Sequence, residues 1–145
     1  MSTPNKTILL VEDNASDEAL VLLALGMSQV DSAVVVARDG VEALDYVFGQ
    51  GIYEGRDTSV MPTVVFLDLK LPKIDGLQVL RQLRADGRSK SLPVVVFTSS
   101  DQEQDVAASY NLGANSFVSK PVDFDKFAEA VRQMGQYWTR LNECP

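Results

Sequence analysis

Five short apolar runs, separated by longer stretches of mixed character, constrain this chain more than any other feature of its sequence. The runs are Thr7–Val11, Ala33–Ala37, Thr63–Leu67, Pro93–Phe97 and Ser116–Ser119, and most are continuously apolar and rich in Val, Ile or Phe. A strand with one wet face alternates apolar and polar residues, whereas a strand buried on both faces does not. The pattern therefore predicts α/β architecture, with parallel strands joined by crossover helices that cover both faces of one sheet. The helices are expected at about Ser16–Met27, Gly40–Phe48, Leu77–Ala85, Gln102–Leu112 and Phe124–Leu141. In the last of these Phe127, Val131, Met134, Trp138 and Leu141 recur at steps of three or four, which puts them on one stripe of a helix. The first helix, DEALVLLALGM, is apolar around much of its circumference and predicts surface beyond what a sheet covers, open to a partner. Between Gly49 and Met61 three glycines and several turn formers predict a long, mobile loop.

A length of 145 residues, 46% of them apolar, suits a single domain with its core between about residues 6 and 141. No appended DNA-binding or catalytic domain is expected after the last helix, so the chain would act through protein contacts. The formal net charge of −7 argues against a nucleic-acid partner, which calls for a basic face. The opening MSTPNKTILLVEDN has no leader-like apolar stretch and no segment is apolar enough to span a bilayer, so a cytoplasmic location without membrane contact is expected. The one cysteine, Cys144, has no mate and no disulfide is expected. With no histidine in the chain, any phosphohistidine must come from another protein.

In an open parallel sheet, ligands bind beyond the carboxyl ends of the strands. Here the first run leads into Glu12 and Asp13, the third ends at Asp68, the fourth at Thr98 and the fifth at Lys120. Three acids in one cleft repel each other unless a cation neutralises them, and carboxylate oxygens suit Mg²⁺. A carboxylate beside such an ion is a nucleophile toward phosphorus, while a hydroxyl and an ammonium hold the oxygens of the transferring group.

The segments ILLVEDN, VVFLDLKLPKIDG, VVVFTSS and NSFVSKP closely resemble the receiver family of two-component response regulators, and the likeness covers nearly the whole chain. The resemblance implies a (βα)₅ doubly wound sheet of five parallel strands in the order 2-1-3-4-5. It implies Asp68 as phosphoacceptor, Asp13 and Asp68 as direct Mg²⁺ ligands, Lys70 as a ligand through its backbone carbonyl, and Glu12 acting on the metal through water. Thr98 and Lys120 would hold the phosphoryl oxygens, Thr98 and Phe117 would form the switch, and the Lys120–Pro121 bond would be cis. Lys70 and Ser100 would flank the site where water attacks the acyl phosphate, and the long cation at Lys70 would partly shield that approach. Softer likenesses in the second loop, in DVAASYNLGAN and in YWTRLNECP are similar to the small regulators of phytochrome-type sensor kinases. They imply a histidine kinase as phosphodonor, an unnamed downstream protein, and a homodimer through the fourth helix, fifth strand and fifth helix, with Tyr137 and Trp138 as anchors.

Other classes fit less well. An aspartate-nucleophile phosphatase expects a second acid where Lys70 stands, and a flavin carrier needs a phosphate cradle where Glu12 and Asp13 stand. Neither G-x-G-x-x-G nor the P-loop pattern occurs. A receiver-like module that is never phosphorylated has no chemical need for all of Glu12, Asp13, Asp68, Thr98 and Lys120.

Overall fold

The computed structural model describes residues 6–28, 30 and 32–144. The first five residues, on which part of the expectation about a leader rests, lie outside the described residues. Strands β1 (Thr7–Val11), β2 (Ala33–Ala37), β3 (Val64–Leu67), β4 (Val94–Thr98) and β5 (Ser116–Ser119) alternate with helices α1 (Ala15–Met27), α2 (Gly40–Phe48), α3 (Gly76–Ala85), α4 (Glu103–Asn111) and α5 (Phe124–Gln136). The strands form one parallel sheet in the order β2-β1-β3-β4-β5, as expected.

Successive strand residues point to opposite faces, which splits the apolar runs between two cores. Leu9, Val11, Val65, Leu67, Val94 and Val96 meet Leu44, Val47, Val79, Leu80 and Leu83 of α2 and α3. Ile8, Leu10, Val64, Phe66, Val95 and Phe97 meet Val21 and Leu25 of α1 and Phe127, Val131 and Met134 of α5. Each fully buried aliphatic side chain contributes about 1.5–3 kcal/mol, so both layers are needed to hold the sheet. Side-chain oxygens of Asn14, Asp39, Asp75 and Asp123 cap α1, α2, α3 and α5 by accepting a first-turn backbone N–H.

Three expectations change. No peptide bond among the described residues is cis, which corrects the expected cis Lys120–Pro121 bond to trans. The trans form is favoured by about 0.5–1 kcal/mol even before proline, and Lys120 reaches inward from the end of β5 without the cis turn. The last helix leaves α geometry at Gln136 and closes with a π turn over Tyr137–Leu141. That wider turn breaks the stripe: Trp138 packs on the α1–α5 core while Leu141 is 73% exposed. The loop after α2 is tied down, because the Arg56 guanidinium donates to the carbonyls of Tyr46, Val47 and Val60 and lies over the Tyr46 ring.

On α1, Val21, Ala24 and Leu25 are buried while Leu22, Leu23 and Met27 are exposed, so its apolar character does exceed what the sheet covers. Among the described residues no helix is long and apolar enough to cross a membrane.

Candidate functional site

Parallel pairing brings four strand ends to one edge. Register alone places Val11 beside Leu67, and Thr98 beside Ser119, so the residues that follow converge. Glu12 donates its N–H to the Ala37 carbonyl, Asp68 to that of Val11, and Lys120 to that of Thr98, which extends each ladder by one bond into the site. Glu12, Asp68 and Thr98 are buried, Asp13 and Lys70 are exposed, and a cleft of about 410 Å³ opens among them.

The turn after Asp68 is shaped by its backbone. At Lys73 the chain takes φ 68° while the Ile74 N–H bonds back to the Pro72 carbonyl, a tight turn that returns the chain across the top of β3. Gly76 then passes so close that a β-carbon there would lie 2.3 Å from the Asp68 carbonyl oxygen. The glycine of KIDG is thus required by this approach.

Asp68 is held from two sides. Its Oδ1 accepts from the Thr98 hydroxyl at 2.7 Å and from the Lys70 backbone N–H at 3.1 Å, and its Oδ2 accepts from Lys120 Nζ at 2.8 Å. The Lys120 ammonium also donates to Glu12 Oε1 at 2.7 Å and Asp17 Oδ2 at 2.8 Å. Burial by itself would raise the Asp68 pKa, but Lys120, the Lys70 N–H and the Thr98 hydroxyl outweigh it and hold the carboxyl below its ordinary value. Burial pushes Glu12 up to about 7, with Lys120 opposing and the Asp68 charge adding to the rise. Burial disfavours the Lys120 charge, yet Asp17, Asp68 and Glu12 together raise its pKa.

Glu12, Asp13 and Asp68 each turn a carboxylate oxygen toward the others, all within 4.8 Å. An all-oxygen, anionic donor set of this size fits a hard divalent cation such as Mg²⁺. With Asp17, four carboxylates stand against the Lys120 ammonium and the exposed Lys70, and that surplus of negative charge favours a cation. Asp17 was not foreseen from the sequence; an acid three residues after a capping asparagine reads as an ordinary helix N-terminal charge.

Around this centre, Ser100 lies buried, with its hydroxyl on the Asp105 carboxylate of α4 rather than turned to the cleft. Phe117, half-buried on β5, packs beside the α2–α3 core and donates its N–H to the Tyr110 hydroxyl of α4 at 3.1 Å. Tyr137 is 47% exposed and Trp138 is half-buried against the core, so the two expected dimer anchors differ in their freedom to meet a partner.

A sequence model of the response regulator receiver domain matches residues 8–132. Response regulator Rcp1 of Synechocystis sp. (strain ATCC 27184 / PCC 6803 / Kazusa) is 39% identical over 99% of this chain and 96% of its own. The crystal structure of the phosphorylated cyanobacterial phytochrome response regulator RcpA superposes with a TM-score of 0.91, covering 98% of this chain and 99% of that one at 36% identity. The Mn²⁺-bound form of Rcp1 gives 0.89 at 36% identity, over 97% of this chain and 99% of the other. The bacteriophytochrome response regulator AtBRR is 50% identical, with a TM-score of 0.77 over 97% of this chain and 100% of that one.

Proposed function

This chain belongs to the response regulator receiver family, and from that premise we propose that it is a phosphorylation switch whose acceptor is Asp68. The observation that carries this reading is the buried Asp68 carboxylate, held ionised against Lys120 and Thr98 at the mouth of an acidic cleft. An Asp68 carboxylate oxygen attacks the phosphorus of a kinase phosphohistidine. The P–N bond breaks, the imidazole keeps the electron pair and takes a proton from solvent, and an aspartyl phosphate forms. Lys120 and Thr98 donate to the phosphoryl oxygens, where charge is largest in the transition state. Asp13, Asp68 and the Lys70 carbonyl would hold Mg²⁺ directly and Glu12 through water. When bound, the ion supplies counter-charge for the phosphoryl oxygens. Water later cleaves the acyl phosphate to inorganic phosphate, with the Lys70 side chain over its approach, so the protein is a phosphoacceptor rather than an enzyme with its own substrate.

The output rests on a bistable contact. The Thr98 hydroxyl bonds Asp68 Oδ1 here, and a phosphoryl group on Asp68 offers it a new partner. Thr98 moves toward that group and Phe117 turns into the space released, which alters the face made by α4, β5 and α5 for a downstream protein or a second copy of the chain. Likeness to RcpA and AtBRR supports a phytochrome-type sensor kinase as donor, and the exposed apolar side of α1 suits its helices. A cytoplasmic setting follows from such a partner.

Intact mass after incubation with acetyl phosphate and Mg²⁺ tests the reading. The wild type should gain one phosphoryl group, about 80 Da; Asp68→Asn should gain none, and EDTA should abolish the gain. A wild type that neither gains mass nor binds beryllofluoride would falsify the switch.

A further inference from the structure

We propose that Asp17 is a positioning residue for phosphoryl transfer, its carboxylate reaching from the first turn of α1 to fix the Lys120 ammonium against the phosphoacceptor. The inference rests on the reading of Asp68 as acceptor and deepens it.

A lysine ammonium has three donors and no acceptor. All three are taken here, by Glu12, Asp17 and Asp68 at 2.7, 2.8 and 2.8 Å. Contacts to Glu12 and Asp68 alone define an axis about which the flexible lysine chain can still swing. The third contact, from a different element of the fold, removes that freedom. When Asp68 takes the phosphoryl group, the Lys120 donor on its carboxylate can pass to a phosphoryl oxygen, and an ammonium still held by Glu12 and Asp17 makes that exchange with little reorganisation, which is where electrostatic catalysis gains most.

Helix capping does not account for the placement of Asp17. An acid at the third helical position ordinarily reaches back to the N–H of the capping residue. In this chain the N–H of the cap, Asn14, is already bonded to Glu12 Oε2 at 3.1 Å, and Asn14 Oδ1 accepts from the Asp17 N–H at 2.9 Å. The start of α1 is therefore satisfied without the Asp17 carboxylate, which turns across the cleft to Lys120. Its side chain is 27% exposed, against 6% for that of Lys120, so it stands at the rim and holds the ammonium from the solvent side.

The test uses the full chain and the variant Asp17→Asn, with Glu18→Gln as a control that removes a charge from the same helical turn, where Glu18 pairs with Arg38 away from the site. Phosphorylation by acetyl phosphate at saturating Mg²⁺ is followed by intact mass. The ¹H–¹⁵N signal of the Lys120 ammonium is recorded by NMR without phosphodonor, and melting temperatures check folding. Asp17→Asn, whose amide oxygen is a weaker, uncharged acceptor, should slow phosphorylation about tenfold and diminish the slowly exchanging ammonium signal, as expected when one preorganised contact loses its charge. Glu18→Gln should change neither. A rate within twofold of wild type, or an unchanged ammonium signal in folded Asp17→Asn, overturns the proposal. Should the wild type itself take up no phosphoryl group, the receiver reading is what fails, and the NMR comparison still tells whether Asp17 holds Lys120.

Discussion

Lys120 and Arg84 are cations at opposite ends of the same sheet, each with its donors engaged, and their partners could hardly differ more. Lys120, at the carboxyl ends, meets three carboxylates. Arg84, the last basic residue of α3, meets neutral oxygens at the amino ends of β4 and β5: the carbonyls of Gly113, Ser89 and Leu92 and the Asn115 side chain. Asn115 Oδ1 in turn accepts the Val94 N–H, so the guanidinium clamps the entry to two strands. A cation whose donors are all taken by neutral oxygens offers a ligand no free donor. Several carboxylates around the Lys120 ammonium leave negative charge for a metal ion, and the donor on Asp68 can be exchanged for a phosphoryl oxygen. Equal satisfaction of hydrogen bonds thus gives a brace at one end and a poised site at the other.

The contrast is broken or sharpened most strongly by removing each cation. Lys120→Ala leaves buried carboxylates facing one another, and in EDTA near pH 7 urea unfolding should show a loss of about 3 kcal/mol. Millimolar Mg²⁺ should restore much of it, and a loss indifferent to Mg²⁺ would erase the distinction drawn here. Arg84→Ala orphans acceptors rather than charges, so a smaller loss of about 2 kcal/mol is expected, unaffected by Mg²⁺ and with the rate of phosphoryl uptake unchanged. If Mg²⁺ rescued Arg84→Ala as well, the two ends would not be electrostatically different.

The smallest effect concerns protons. Glu12 titrates near 7 in the folded chain against an ordinary 4.5, because burial disfavours its charge. The folded state therefore binds more protons across that window, and metal-free stability should fall as pH rises from about 4.5 to about 7. Glu12→Gln should flatten that fall, as read from melting temperatures at pH 5 and 7.5 in EDTA. A slope identical to wild type would show that the cleft carries no strained negative charge.

Continuous apolar runs determined by themselves that the strands are buried and parallel, because only a sheet covered on both faces removes every residue of such a run from water. Their endings determined which side chains meet: Glu12, Asp68 and Lys120 each follow directly on a strand, Asp13 comes one residue after Glu12, Thr98 closes β4, and parallel register does the rest. Side chains that act across the fold were not legible. Asp17 looks like a helix-start acid until the fold sets the first turn of α1 across the cleft from Lys120, and Arg84 looks like a surface charge on α3 until the chain returns past it at Gly113. The π turn at Tyr137 was likewise not legible in the local sequence. Local patterns encode burial and periodicity; the partner of a long charged side chain depends on which elements lie within its reach, and only the tertiary arrangement sets that distance.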